Sequence, residues 1–224
     1  MFNNLNATNF SGSIPFYDEN FEDILSKITA CYYKMVTEYS TIENDENSIR
    51  DILLLKYLKD DKIRKEVGLI DLYNFEREVQ EDESEGRTDI KITTKDTFKI
   101  QKAYYTIECK RLDNINTTGN SGLNAKYVFN GMERFISKKY ASHYRVNAMI
   151  GFIVDKLDIH KNTEKNINLL LQSNKAITTT KKITKSTFIK DFEYHYYSEH
   201  LDKDKKRLKI YHLMFDFSEN ISNN

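Results

Sequence analysis

From Phe21 to Tyr39 the apolar residues Phe21, Ile24, Leu25, Ile28, Cys31, Tyr32 and Met35 recur every three to four positions, a spacing that predicts an amphipathic helix. A second helix is expected from Glu46 to Glu66, burying Ile49, Ile52, Leu53, Leu54, Tyr57 and Leu58, with Asn44 or Asp45 as its N-cap and Gly68 as its stop. The period then changes to two. Strands are expected at Leu72 to Gln80, Arg87 to Thr94 and Tyr104 to Arg111, with an acidic loop at Glu81 to Glu85 and a polar turn around Lys95 and Asp96. Helical spacing returns from Leu123 to Tyr140, where Val128, Met132, Phe135 and Ile136 form one stripe and Gly131 permits close approach to a sheet. Val146 to Val154 is nearly continuous in apolar residues, as in a strand covered on both faces. A helix at Ile159 to Gln172, one or two strands within Thr178 to Tyr197 and a last strand at Lys209 to Phe217 complete the reading.

Three strands followed by a crossover helix and a buried strand predict an α/β fold, a mixed β-sheet flanked by helices. The length of 224 residues suits one domain. Residues 1–17, which contain the only proline, Pro15, are expected to form a flexible arm, and 18–224 the domain. No apolar stretch reaches the roughly 18 residues of a membrane span, and the N-terminus has no signal-peptide pattern, so a cytoplasmic protein without a membrane partner is expected. Cys31 and Cys109 are expected to be buried thiols. The net charge is zero, but residues 121–224 hold 18 Lys and Arg against 11 Asp and Glu. A basic wall beside an acidic site, or two solvated faces, would each produce that asymmetry.

The densest chemistry is Glu108-Cys109-Lys110 at the end of the apolar run 103–107. Alternation along a strand puts Glu108 and Lys110 on one face and Cys109 on the other with Ile107 and Tyr105. With Asp89 on a neighbouring strand, two acids and a lysine converge, a kit for a divalent metal and a polarised phosphate. His195 and His200 have a spacing that suits no common zinc motif, and no P-loop, dinucleotide fingerprint or nucleophile elbow occurs.

The strand order and these residues resemble the PD-(D/E)xK nuclease superfamily, with its restriction-endonuclease-like αβββαβ core, over about residues 44–155. Asp89 matches the first acid and Glu108-Cys109-Lys110 the E-x-K; Thr88 stands where the motif has proline. The resemblance implies a Mg²⁺-dependent endonuclease, with Mn²⁺ as substitute, acting on DNA in a bacterial defence system, phage defence included, or in repair. Its metal would be held by Asp89, Glu108 and the Cys109 carbonyl. Lys110 would orient or deprotonate the water or neutralise a phosphate oxygen; both roles stay open. Glu46, then Glu43, are the candidates for a further carboxylate, with helix capping as the alternative. Lys91, Lys126 and Arg134 are candidate phosphate contacts, Glu76 and Glu78 are expected to be exposed strand residues, and the loop 114–122 is expected to be mobile. Alternative functions are a non-cleaving module that binds nucleic acid or protein, and a nuclease subunit switched on by a partner ATPase or sensor. A homodimer is a further expectation, because a double-strand break needs two sites.

Overall fold

The computed structural model describes residues 13–69, 73–80, 87–138, 140 and 143–222. Residues 1–12 of the expected arm, Leu72 and the acidic loop at Glu81 to Glu85 lie outside them. The first helix, α1, spans Ser13–Glu38, so helix begins five residues before Asp18 and replaces the end of the expected arm. Pro15 falls in its first turn, where a missing N–H costs no intrahelical bond. Phe21, Ile24, Leu25, Ile28, Cys31 and Met35 are all fully buried. Their stripe lies on the sheet, with Phe21 stacked on Tyr105 and Tyr32 on Phe215 at ring separations of 4.4 and 4.2 Å.

Where one helix was expected from Glu46 to Glu66, two are found. Helix α2 runs Glu46–Ile52 and continues as a π-wound segment, Leu53–Leu58; α3 is Asp61–Val67. The break comes at Asp60, which takes an extended backbone and caps the Ile63 amide. Asp45 caps α2 through the Ser48 amide, and Gly68 ends α3 with φ of 74°, a conformation that favours glycine.

The sheet is seven-stranded, in the order β1-β2-β3-β4-β7-β6-β5. Its strands are β1 Asn74–Gln80, β2 Arg87–Thr93, β3 Tyr104–Leu112, β4 Val146–Ile153, β5 Thr178–Lys185, β6 His195–Leu201 and β7 Arg207–Asp216. The first three pair antiparallel, β3-β4 and β4-β7 pair parallel, and β7-β6 and β6-β5 return to antiparallel. The turn expected at Lys95 is a short 3₁₀ segment, Lys95–Phe98, closed by a capping box from Thr94. Helix α4 runs through Leu123–Ala125, Lys126–Met132 and Glu133–Ile136, ending earlier than the expected Tyr140; α5 runs through Ile159–Lys161, Asn162–Ile167 and Asn168–Ser173. The central segments of both are π-wound.

Strand β4 is buried at every position, as its apolar run requires. One core lies between α1 and the odd-numbered face of β3 and β7; the other lies between α4, α5 and the even-numbered face. Gly131 is the contact point of α4 with β4, because a Cβ there would stand 2.4 Å from Met149 Cε. The loop 114–122 is tied to its surroundings by side-chain hydrogen bonds. Asn124 and Asn166 donate to Thr117, Asn116 to Ser121 and Asn114 to the Lys156 carbonyl.

Candidate active site

Strand β3 brings Glu108 and Lys110 to the α4 face, and Cys109, fully buried, to the α1 face. The β2-β3 ladder pairs Ile90 with Ile107. One step further, Asp89 Oδ2 accepts the Cys109 N–H at 2.7 Å. A carboxylate thus takes a bond that a strand carbonyl would take in a continued ladder, which places Asp89 beside Glu108.

Four oxygens surround the Lys110 ammonium: Cys109 O at 2.7 Å, Glu46 Oε1 at 2.8 Å, Glu108 Oε1 at 2.9 Å and Asp89 Oδ2 at 3.9 Å. Glu46 Oε2 also accepts the Arg111 N–H at 3.2 Å, so Glu46 crosses from α2 to β3 and does not act as a helix cap. Glu43 is turned to Ser48. Glu108 is fully buried and accepts Arg134 Nη1 at 2.8 Å on Oε1 and the Tyr140 hydroxyl at 2.7 Å on Oε2. Asp89 Oδ1 receives Arg50 Nη1 at 3.1 Å.

Two residues of this cluster, Arg50 and Tyr140, escaped the sequence reading. Arg50 is only 2% exposed and joins Asp89 to Asp51 and Glu78, with bonds of 2.8 Å from Nη2 to each of the latter two. Its signal was present, since Arg50 shares the helical stripe of Leu53, Leu54 and Tyr57, where a charge needs a partner. Glu78 is an exposed residue of β1, as expected, and is also one of those partners, with φ of 47°. Tyr140 lay at the expected end of a helix; it lies beyond α4, and its hydroxyl joins Glu108, Arg134 and the Arg87 carbonyl.

The candidate phosphate contacts divide. Arg134 is spent on Glu108 and Tyr140, Lys91 lies 4.1 Å above the Tyr104 ring, and Lys126 is exposed. Glu76 takes the Asn74 amide.

Burial works against the charge of Lys110, but Glu108, Asp89 and Glu46 outweigh it and move its pKa upward. Lys110 is therefore an ammonium at neutral pH. Burial and then the charge of Asp89 push Glu108 up to about 7, against the pull of Lys110 and Arg134. Tyr140 has one proton for two acceptors, Arg87 O and Glu108 Oε2, each at 2.7 Å. The Tyr140 hydroxyl therefore shares one proton between the Arg87 carbonyl and Glu108 Oε2, while Glu108 Oε1 accepts from Lys110 and Arg134.

Among the described residues, no group of three or more His, Cys, Asp and Glu side chains is placed to hold a metal ion. What stands among the acids is the Lys110 ammonium. Its oxygen partners are the hard ligands Mg²⁺ prefers, and they are those expected from the sequence, Asp89, Glu108, the Cys109 carbonyl and Glu46. These oxygens are the ones that would hold a divalent cation in place of the ammonium. No protein-family model, curated protein or solved structure matches the chain. No helix among the described residues is long and apolar enough to cross a membrane.

Proposed function

We propose that this protein is a metal-dependent nuclease with a restriction-endonuclease-like core, cutting phosphodiester bonds in DNA. The observation that carries the reading is the convergence of Asp89, Glu108, Glu46 and the Cys109 carbonyl, from three separate elements, on one cation. Mg²⁺ or Mn²⁺ bound to those oxygens would polarise the phosphate and supply an activated water. Asp89 is held for that task from both sides, by the Cys109 amide and Arg50. Lys110, kept protonated by the surrounding acids, neutralises charge on the phosphate as it becomes pentavalent and does not serve as the base. Arg134, held on Glu108 and Tyr140 with its side chain 36% exposed, is a second cation beside these acids.

The ion pairs Arg50–Asp89, Lys110–Glu46 and Arg134–Glu108 favour one further reading, a nuclease subunit that a partner ATPase or sensor activates by releasing the carboxylates. The test is cleavage of plasmid and linear DNA with Mg²⁺ or Mn²⁺ by the wild type, Glu108→Ala and Lys110→Ala. Loss of cutting in both variants is expected; cutting that survives both refutes the site. Cutting that appears only after a co-purified partner is added identifies the activated subunit.

A further inference from the structure

Between β6 and β7 the chain turns through Asp202-Lys203-Asp204-Lys205-Lys206 into Arg207. Lys203, Lys205, Lys206 and Arg207 are all exposed. A solvated turn would let its own acids neutralise them, but both acids are committed elsewhere. Asp202, 2% exposed, accepts the Asp204 and Lys206 amides at 2.9 Å each on Oδ1 and Arg145 Nη1 at 2.8 Å on Oδ2. Asp204 is paired with Lys138. Among the described residues no carboxylate pairs with Lys203, Lys205, Lys206 or Arg207.

The turn is also fixed in place. Lys205 adopts φ of 61° with its amide on Asp202 O at 2.9 Å, Arg145 binds the Arg207 carbonyl through Nε and Nη2 at 2.9 and 2.6 Å, and the Lys203 amide binds the Ile136 carbonyl at 3.2 Å. That last bond puts the tip on the side of the sheet occupied by α4, the side Glu108 faces. Between them lies a polar recess of about 210 Å³ lined by Arg134, Asn130 and Ser137, with Glu133 turned to Asn174. The register fixes the separation. Glu108 is level with Met149 and His212, two strands away from β7, and Arg207 precedes His212 by five residues. Two strand spacings of about 4.8 Å and five residues of about 3.3 Å give a reach of roughly 20 Å.

We infer that the 202–207 turn is a docking surface for the phosphate backbone of duplex nucleic acid, engaging it about six base pairs from the bond held at Glu108, taking about 3.4 Å per pair. Four exposed cations on a hydrogen-bonded turn match a line of phosphates. The inference rests on the nuclease reading for the position of the scissile bond.

The test measures binding of a fluorescent 30-base-pair duplex in EDTA, where nothing is cut, at several salt concentrations. The wild type is compared with Lys203→Gln/Lys205→Gln/Lys206→Gln and with a control on the helices of the opposite face of the sheet, Lys56→Gln/Lys59→Gln/Lys62→Gln. Removing three phosphate contacts is expected to weaken binding at least tenfold and to flatten the slope of log K against log salt by about 2 to 3, at about 0.9 per contact. The control should bind as the wild type, and matching thermal melts establish that the turn variant is folded. A wild type that does not bind duplex, or a turn variant with unchanged affinity and slope, overturns the inference, and cleavage abolished by Glu108→Ala would leave the nuclease reading standing. A wild type that binds through the turn but cuts nothing in Mg²⁺ or Mn²⁺ leaves the surface standing and removes the reading. Equal competition by anionic vesicles would mark a membrane surface and also overturn it.

Discussion

Replacing Lys110 with Met separates the ammonium's structural part from its competition with a metal. Lys110 bridges Glu46 and Glu108 at 2.8 and 2.9 Å, with Glu108 fully buried. Removing one partner of a buried pair costs about 3–5 kcal/mol. Here the lower end applies, because Arg134 and Tyr140 stay on Glu108. For a chain of this size about 3 kcal/mol lowers Tm by roughly 6–12 °C. The metal response is expected to run the other way. The ammonium and a divalent ion compete for the same oxygens, so Mn²⁺ should stabilise the wild type weakly and Lys110→Met strongly. A concentration 100 times Kd returns about 2.7 kcal/mol, which recovers most of the lost Tm. The assay is differential scanning calorimetry in EDTA and over a Mn²⁺ series, with Lys110→Met/Glu108→Gln as the variant in which the Mn²⁺ gain disappears. A Lys110→Met protein that melts like the wild type in EDTA, or gains no more from Mn²⁺ than the wild type does, refutes the reasoning.

Arg50→Lys keeps the charge but loses the planar fork that reaches Asp51, Glu78 and Asp89, and should lower stability by about 2–4 kcal/mol in urea melts; a change under about 0.5 kcal/mol would show the fork to be dispensable. Gly131→Ala drives a Cβ to 2.4 Å from Met149 Cε and is expected to cost about 1–3 kcal/mol, partly restored by Met149→Ala; additive losses in the double mutant would contradict the contact. His200 lies in a buried chain with Ser198, His212 and Tyr127, and burial lowers its pKa to about 4 from an ordinary 6.5. Its folded pKa is depressed, so its contribution to stability is complete above about 6.5 and is lost as pH falls toward 4, by about 3 kcal/mol at 1.36 kcal/mol per unit. Chemical denaturation at pH 7, 5.5 and 4.5 checks this, and a slope unchanged in His200→Gln would assign the acid sensitivity elsewhere.

Periodicity in the chain determined α1, the alternation of β2 and β3, the double-sided burial of β4 and the close approach at Gly131, because each depends on neighbours within a few residues. The same alternation put Glu108 and Lys110 on one face, and a single turn between strands put Asp89 beside them. Shorter-range signals were also there to be read, such as Asp60 capping the Ile63 amide and dividing one expected helix into two. What only the tertiary structure decided is the partner of each charge. Arg50 is 39 residues from Asp89, Glu46 is 64 from Lys110, and Tyr140 is 32 from Glu108. No local period encodes pairs that distant. They are fixed by strand register and by the rule that a buried charge must find an opposite one, and a sequence states the charges without stating the distances between them.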